Sequence, residues 1–323
     1  MKTNDDMISR NKIKEAFDKA LKQRKGGNLQ DVYITDDGNP YEAYCTNEQW
    51  LEFIEDMQKK HKKAYDEFKK GNGGELDEKP SESGRMMPPK MASYASSSRF
   101  IYEKSKHLGD SFEFECKLPI AFKGFVKEAE ASLDGYVPSK RLFIEAKCHE
   151  FYPNHYTEFK RSYKKFYDYL NEQTRGLFSY DVVPGENKQN ILFKWAGEEL
   201  QSLDLKQLLC HMLGIAKKAL QDDCSEVSTL LYLVYKPDEE MLKYVPTEEE
   251  KNGIIDCWNM EKEEAEEVDF PLLYRHIVRY IHDERKNWQK EKKYSDRVDE
   301  IAKAFKFRFC DQNEYKKIIS SVK

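Results

Sequence analysis

The sequence predicts a mixed α/β fold, with a central sheet flanked by helices and a small helical region ahead of it. Three observations lead there. Short segments with strict apolar/polar alternation stand beside longer ones with three- and four-residue apolar spacing. Both kinds follow one another through the chain as helix, three strands, helix, strand, helix, strand, which is the signature of a mixed sheet between helices. One segment, VSTLLYLVY at 227–235, is apolar almost throughout, as expected of a central strand covered on both faces.

Residues 6–25 are expected to be helical, with Ile8, Ile13, Phe17 and Leu21 on one stripe and Gly26-Gly27 ending it. A second helix spans 46–70. Thr46 or Asn47 caps it, with Glu48 and Gln49 close behind. Residues 71–98 are polar and rich in Gly, Pro, Ser and Lys, and read as a long loop. The domain expectation is therefore a helical region at 1–75, a linker at 76–95 and a main domain at 96–323.

Within that domain, serines open a helix at 96–107. Phe112, Phe114 and Cys116 alternate with Glu113, Glu115 and Lys117 in a strand at 111–117. Strands at 128–137 and 141–151 are joined by a tight turn at Pro138-Ser139-Lys140. A basic, aromatic helix covers 156–175, and a short strand 190–195. Leu205, Leu208, Leu209, Met212, Leu213, Ala216, Ala219 and Leu220 mark an amphipathic helix at 205–220. The rest is expected to be helical and charged, with glutamate-rich 238–268, a long helix at 271–291 opened by Pro271, and a last strand at 304–310.

Composition narrows the classes. The chain has 323 residues, 35% of them charged, and a formal net charge of -5. An acidic total argues against a nonspecific nucleic-acid coat, but it leaves room for a local basic groove beside clustered carboxylates. Seven cysteines include no CxxC pair, so neither a disulfide framework nor a zinc ribbon is expected. Mean hydropathy is -0.87 and no apolar run reaches membrane-spanning length. The first residues lack an apolar signal core, so the expected location is the cytoplasm, with no membrane partner. No GxxxxGK[ST], HExxH or GxSxG motif is present.

The chemistry is concentrated in SLDGYVPSKRLFIEAKCHEF, residues 132–151. Side chains in a strand alternate between faces. Glu145 and Lys147 therefore share one face with Phe143, while Leu142, Ile144, Ala146 and Cys148 take the other. On the partner strand Asp134 lies with Ser132 and Glu130, opposite Leu133 and Ala131. A one-residue slip would bury charge, so the apolar set fixes the register and brings Asp134, Glu145 and Lys147 together. Two carboxylates and the Ala146 carbonyl suit Mg²⁺, a hard cation that prefers oxygen. Such an ion acidifies a water and offsets charge on a phosphate, and Lys147 can orient that water or stabilise developing charge.

Asp134, ten intervening residues, then Glu145-Ala146-Lys147 after the apolar Leu142-Phe143-Ile144, resembles the PD-(D/E)xK nuclease superfamily. The order of elements from about Ser96 to Tyr235 is similar to its bacterial restriction-endonuclease-like branch. Leu133 stands where that motif often has proline. The resemblance implies a restriction-endonuclease-like sheet and a Mg²⁺-dependent enzyme, with Mn²⁺ as substitute, that hydrolyses DNA in defence or DNA processing. It implies metal binding by Asp134 and Glu145, and assistance to hydrolysis by Lys147.

Further candidates attach to this core. Glu103, on the helix before the first strand, resembles an auxiliary acid of some members, against the favoured reading of an ordinary solvated glutamate. Glu130 is a candidate third metal ligand, whereas alternation sets Glu150 apart. Gln207 and His211 share a helical stripe. RecB-type members carry Gln and Tyr at that spacing, but Asp204 with Gln207 also reads as a capping box. Lys160, Arg161, Lys164 and Lys165 interleave with aromatics, as in a nucleic-acid grip or an amphipathic helix with a solvated basic face. Lys303, Lys306 and Arg308 form a similar cluster. DNA is the expected partner. A homodimer is kept open because many double-strand cutters are dimers, although no heptad seam marks one. The competing expectations are a nuclease-fold protein that binds nucleic acid or protein without cutting, and a plain helical interaction protein using 46–70 and 271–293.

Overall fold

The computed structural model describes residues 10–28, 31–35, 38, 40–41, 43–71, 74–81, 84–120, 129–148, 157–185, 188–284 and 296–322. Helices α1 (Arg10–Arg24), α2 (Asn47–Lys60), α3 (Lys62–Lys70) and α4 (Ser97–Ser105) come first. Strands β1 (Glu113–Pro119), β2 (Glu130–Val137) and β3 (Leu142–Lys147) follow as an antiparallel meander. Helix α5 (Lys164–Gln173) leads into a hairpin of β4 (Phe178–Pro184) and β5 (Gln189–Trp195), then α6 (Leu205–Gln221) and β6 (Ser228–Val234). The chain continues through α7 (Glu248–Glu267), α8 (Phe270–Glu284), α9 (Val298–Lys303), β7 (Phe305–Cys310) and α10 (Gln312–Ile319).

The main sheet has the order β7-β6-β3-β2-β1, with β6 parallel to both β3 and β7. The protein is thus mixed α/β, as expected. Strand β6 is almost wholly buried, which explains its unbroken apolar sequence. The β4–β5 hairpin belongs to a second, smaller sheet with Thr157–Glu158 and Glu198–Glu199.

Close packing fixes the meander. Tyr136 and Phe143, opposite each other on β2 and β3, stack with ring centroids 4.5 Å apart. Gly135 lies under the Phe112 ring, where a Cβ would come within 2.3 Å of Cζ. Helix α6 crosses β1 and β2 and backs onto α8. At its middle, Gly214 lets the helix approach Leu118, whose Cβ would be 2.6 Å from an added methyl.

Several elements differ from expectation. The helix expected over 46–70 breaks at His61, whose φ of -135° is not helical. The bend lets Phe53 from α2 and Phe68 from α3 both reach the ring of Tyr102. Thr46 closes a capping box with Gln49, as its sequence suggests. The basic helix begins only at Lys164, because Thr157–Glu158 pairs with β5 and Arg161–Tyr163 forms a 3-10 turn. Strand β4 was not expected, and the helical remainder resolves at its end into the short α9 and α10 around β7.

The stretch 76–95, expected as a linker, buries Leu76, Met91, Ala92, Tyr94 and Ala95 in the core. The N-terminal helices share that core. Phe17 meets Tyr235 edge-on at 6.0 Å, Arg24 pairs with Asp238 at 2.7 Å, and Phe68 lies 5.0 Å from Phe114. Helix α3 also covers the free edge of β1: Glu67 Oε2 accepts from the Phe114 N–H at 2.9 Å, and Lys63 Nζ donates to the Phe112 carbonyl at 2.9 Å. An edge strand left open would invite pairing with another chain.

Candidate functional site

The β2–β3 ladder runs through Val137–Leu142, Tyr136–Phe143 and Gly135–Ile144, and then stops. The next position in register would pair Asp134 with Glu145. There the strands part, and Asp134 Oδ2 accepts the Ala146 N–H at 2.7 Å in place of a backbone carbonyl. Strand β3 stays held on its other side. Its Arg141 and Lys147 carbonyls accept from Thr229 and Tyr235 at 3.0 and 2.8 Å. By the alternation of a parallel ladder, the Ala146 N–H and C=O both turn away from β6, toward the gap.

Asp134, Glu145 and Lys147 line one cavity of about 620 Å³. The expected convergence is present, but the face that carries it is not open. All six residues of β3 are buried, Glu145 to 2% exposure and Lys147 to 8%, the last two beneath His211 and Gln207 of α6. Glu145 is bonded through both oxygens: Oε1 lies 3.0 Å from Lys147 Nζ and Oε2 lies 2.9 Å from His211 Nε2. Burial works against its charge, yet Lys147 and then His211 hold its pKa below the usual carboxylate value. An ionised Glu145 can only accept, so His211 carries its proton on Nε2. His211 Nδ1 is buried without a hydrogen-bond partner among the described residues. Asp134 is pushed well above the usual value, by burial first and then by the Glu145 charge.

The supporting candidates divide. Gln207 lines the cavity and accepts from Lys147 Nζ through Oε1. Only its backbone N–H takes part in the helix cap, at 3.1 Å from Asp204 Oδ1, so the side chain serves the site. His211, fully buried, reaches Glu145 rather than acting as a bystander. Glu130 lines the cavity from the start of β2. Glu103 does not: Lys25 and Arg99 hold it, the latter at 3.3 Å. Lys164 and Lys165 pair with Asp168 and Glu284 at 2.6 and 2.7 Å, while Tyr163 and Phe166 on either side of them are buried in the core. That segment is an amphipathic surface with its aromatics turned inward. Lys160 and Arg161 precede the helix and are exposed. Arg308 pairs with Glu314 at 3.3 Å, on the edge strand and away from the cavity. Glu150 lies outside the described residues.

Two acids on the cavity wall were missed by the sequence reading, Glu75 and Glu115. Burial and the neighbouring Glu75 charge raise Glu115 to a pKa of about 7. Its Oε2 lies beside Gly71, where a Cβ would come within 3.2 Å. Alternation grouped Glu115 with Glu113 and Lys117 and gave no reason to prefer it, whereas in the structure its left-handed φ of 52° interrupts that alternation. Glu75 lay in the supposed linker, where no pattern marks it. Among the described residues, no three His, Cys, Asp or Glu side chains are gathered tightly enough to enclose a metal ion. No helix among them is long and apolar enough to cross a membrane. No protein-family model, curated protein or solved structure matches the chain.

Proposed function

We propose that this chain is a divalent-cation-dependent nuclease of the PD-(D/E)xK type, with β1–β3 and β6 as the core of a restriction-endonuclease-like sheet and DNA as its substrate. The observation that carries this reading is the parting of β2 and β3 at Asp134 and Glu145, with Lys147 alongside on the wall of one cavity. A structural salt bridge does not require a broken ladder. The donor set fits Mg²⁺ or Mn²⁺. Asp134 keeps one carboxylate oxygen without a hydrogen-bond partner among the described residues, the Ala146 carbonyl turns toward the same gap, and Glu145 is kept ionised.

Asp134, Glu145 and the Ala146 carbonyl would hold the cation, which would supply Lewis acidity toward a phosphate oxygen. The chain does the rest. Lys147 offsets charge that grows on the phosphate and orients the attacking water, and Gln207 fixes the ammonium from the other side. His211 holds Glu145 in place through Oε2 and helps to keep it ionised.

Supercoiled plasmid and single-stranded DNA are to be incubated with Mg²⁺, Mn²⁺ or EDTA, beside Lys147→Ala. Metal-dependent cutting that falls by about 10²–10³-fold in the variant is expected. Absence of cutting in every condition would sink the reading. One observation favours the alternative of binding without cutting: both Glu145 oxygens are already engaged by Lys147 and His211. In that case DNA binding persists without cleavage and is unchanged by EDTA.

A further inference from the structure

The two edges of the main sheet are finished differently. Helix α3 hydrogen-bonds along β1, whereas β7 has β6 on one side and no strand on the other among the described residues. The Ser228 N–H donates to the Ala304 carbonyl at 3.0 Å. By the alternation of a parallel ladder, the N–H and C=O groups of Phe305, Phe307 and Phe309 therefore turn outward. None of them has a hydrogen-bond partner among the described residues. The strand that carries them is well anchored. Its three phenylalanines pack on Tyr274, Phe270 and Trp258, with ring centroids 4.1, 3.7 and 5.7 Å apart. Lys306 and Arg308 take the other face, beside Thr229 and Leu231, and both are exposed.

A groove of about 570 Å³ follows this edge. Lys140, Lys306 and Arg308 line it, and among the described residues no carboxylate does, in a chain of formal net charge -5. Leu142, Leu231 and Phe307 add apolar surface. Lys306 has no ion pair among the described residues. The Arg308–Glu314 pair at 3.3 Å is half exposed, where such a pair contributes little. Cations on an edge strand also serve to discourage pairing between copies of a chain. That purpose does not require a concave, partly apolar groove from which acids are absent.

We propose that the β7 edge docks an acidic, extended peptide segment of a partner protein, which adds a strand to the main sheet. The outward N–H and C=O groups of β7 supply the main-chain hydrogen bonds, and carboxylates at alternate positions of the peptide meet Lys306 and Arg308. Two other occupants match less well. A second copy paired antiparallel about Phe307 would set Lys306 and Arg308 opposite like charges, which destabilises a strand pair. A nucleic acid complements the cations, but its sugar–phosphate backbone does not present the alternating donors and acceptors that a strand edge requires. Strand β6 separates this edge from Glu145 and Lys147, and the proposal does not rest on the nuclease reading.

The full chain is to be mixed with a fluorescent peptide of about eight residues that alternates glutamate and valine, with the same peptide methylated on its backbone nitrogens, and with single- and double-stranded DNA. Anisotropy reads binding, and amide hydrogen exchange over 305–309 reads strand addition. The glutamate–valine peptide is expected to bind with a Kd of about 1 mM or lower and to slow exchange of the Phe307 and Phe309 amides. Lys306→Glu combined with Arg308→Glu is expected to weaken it by about tenfold or more. Both side chains are exposed, and thermal unfolding of the double variant checks that its fold is kept. N-methylation is expected to abolish binding. No binding of the peptide overturns the proposal. Equal binding of the methylated peptide, with exchange unchanged, overturns it in favour of charge attraction alone. DNA that binds through Lys306 and Arg308 where the peptide does not makes the groove a nucleic-acid surface. Amides at 305–309 already protected in a concentration-dependent dimer assign the edge to a second copy.

Discussion

Single side chains in the cavity are set by a contest between burial and charge. Glu145 stays ionised because Lys147 and His211 outweigh its burial, whereas at Asp134 and Glu115 burial and a neighbouring carboxylate outweigh the lysines nearby and the pKa values rise. Two predictions belong here. His211→Ala removes one donor from Glu145, so its pKa rises, and the acid limb of the pH–rate profile moves to higher pH. The rate itself is expected to fall about 10–100-fold, the usual cost of losing a residue that orients a metal ligand. The second concerns Glu115 in EDTA. A carboxyl whose folded pKa is raised binds protons more tightly in the native state. Its contribution is therefore favourable below the unfolded value and is lost as pH rises toward 7. Wild type is expected to lose thermal stability between pH 5 and pH 8, and Glu115→Gln to lose less. Equal slopes for the two proteins would contradict the assignment.

At the scale of elements, the site depends on how closely α6 sits against the meander. Gly214 is where the helix touches Leu118. In an exposed helix Gly→Ala gains about 1 kcal/mol from propensity. Here the new methyl would sit 2.6 Å from Leu118 Cβ, which is anchored to the backbone and cannot swing aside. Overpacking costs about 1–3 kcal/mol, so Gly214→Ala is expected to destabilise despite its better propensity, as urea unfolding would show. Because α6 also carries Gln207 and His211, its displacement should lower activity more than stability. A second tie holds the start of α6: Glu264 of α7 accepts from the N–H groups of Gln201, Ser202 and Leu203 at 2.7, 2.9 and 2.7 Å. Glu264→Ala strands those donors and is expected to cost about 2–4 kcal/mol in unfolding free energy; Glu264→Gln, which keeps acceptor capacity, is expected to cost less.

The whole molecule is built around one connected core that includes the N-terminal helices. Tyr44, Glu75, Lys90 and Ser93, all ahead of the expected main domain, line the same cavity as Asp134. The N-terminal region is therefore part of the site and of the core. A chain lacking residues 1–75 exposes Phe114 and Tyr235 and uncovers the β1 edge. It is expected to aggregate or to lose a cooperative unfolding transition, while the full chain melts in one step. A soluble, cooperatively folding truncation would show instead that the main domain is autonomous.

The sequence by itself determined what depends on neighbours along the chain. Period-two alternation and the Pro138-Ser139-Lys140 turn placed Asp134, Glu145 and Lys147 on one face. Apolar continuity made 227–235 a central strand, and helical spacing defined 205–220. Each follows from local geometry that repeats every two or 3.6 residues. Contacts between distant segments were left to the tertiary structure. The role of His211 arises 66 positions from Glu145, and Gln207 reaches Lys147 across 60. Glu75 and Glu115 come together only because α3 and the segment after it fold over β1. Whether a helix glutamate such as Glu103 faces a cavity or an ion pair is decided by which surface packs against it. A polar stretch such as 76–95 has no periodicity to announce that its few apolar residues, Leu76, Met91 and Ala92, are buried by helices contributed from elsewhere.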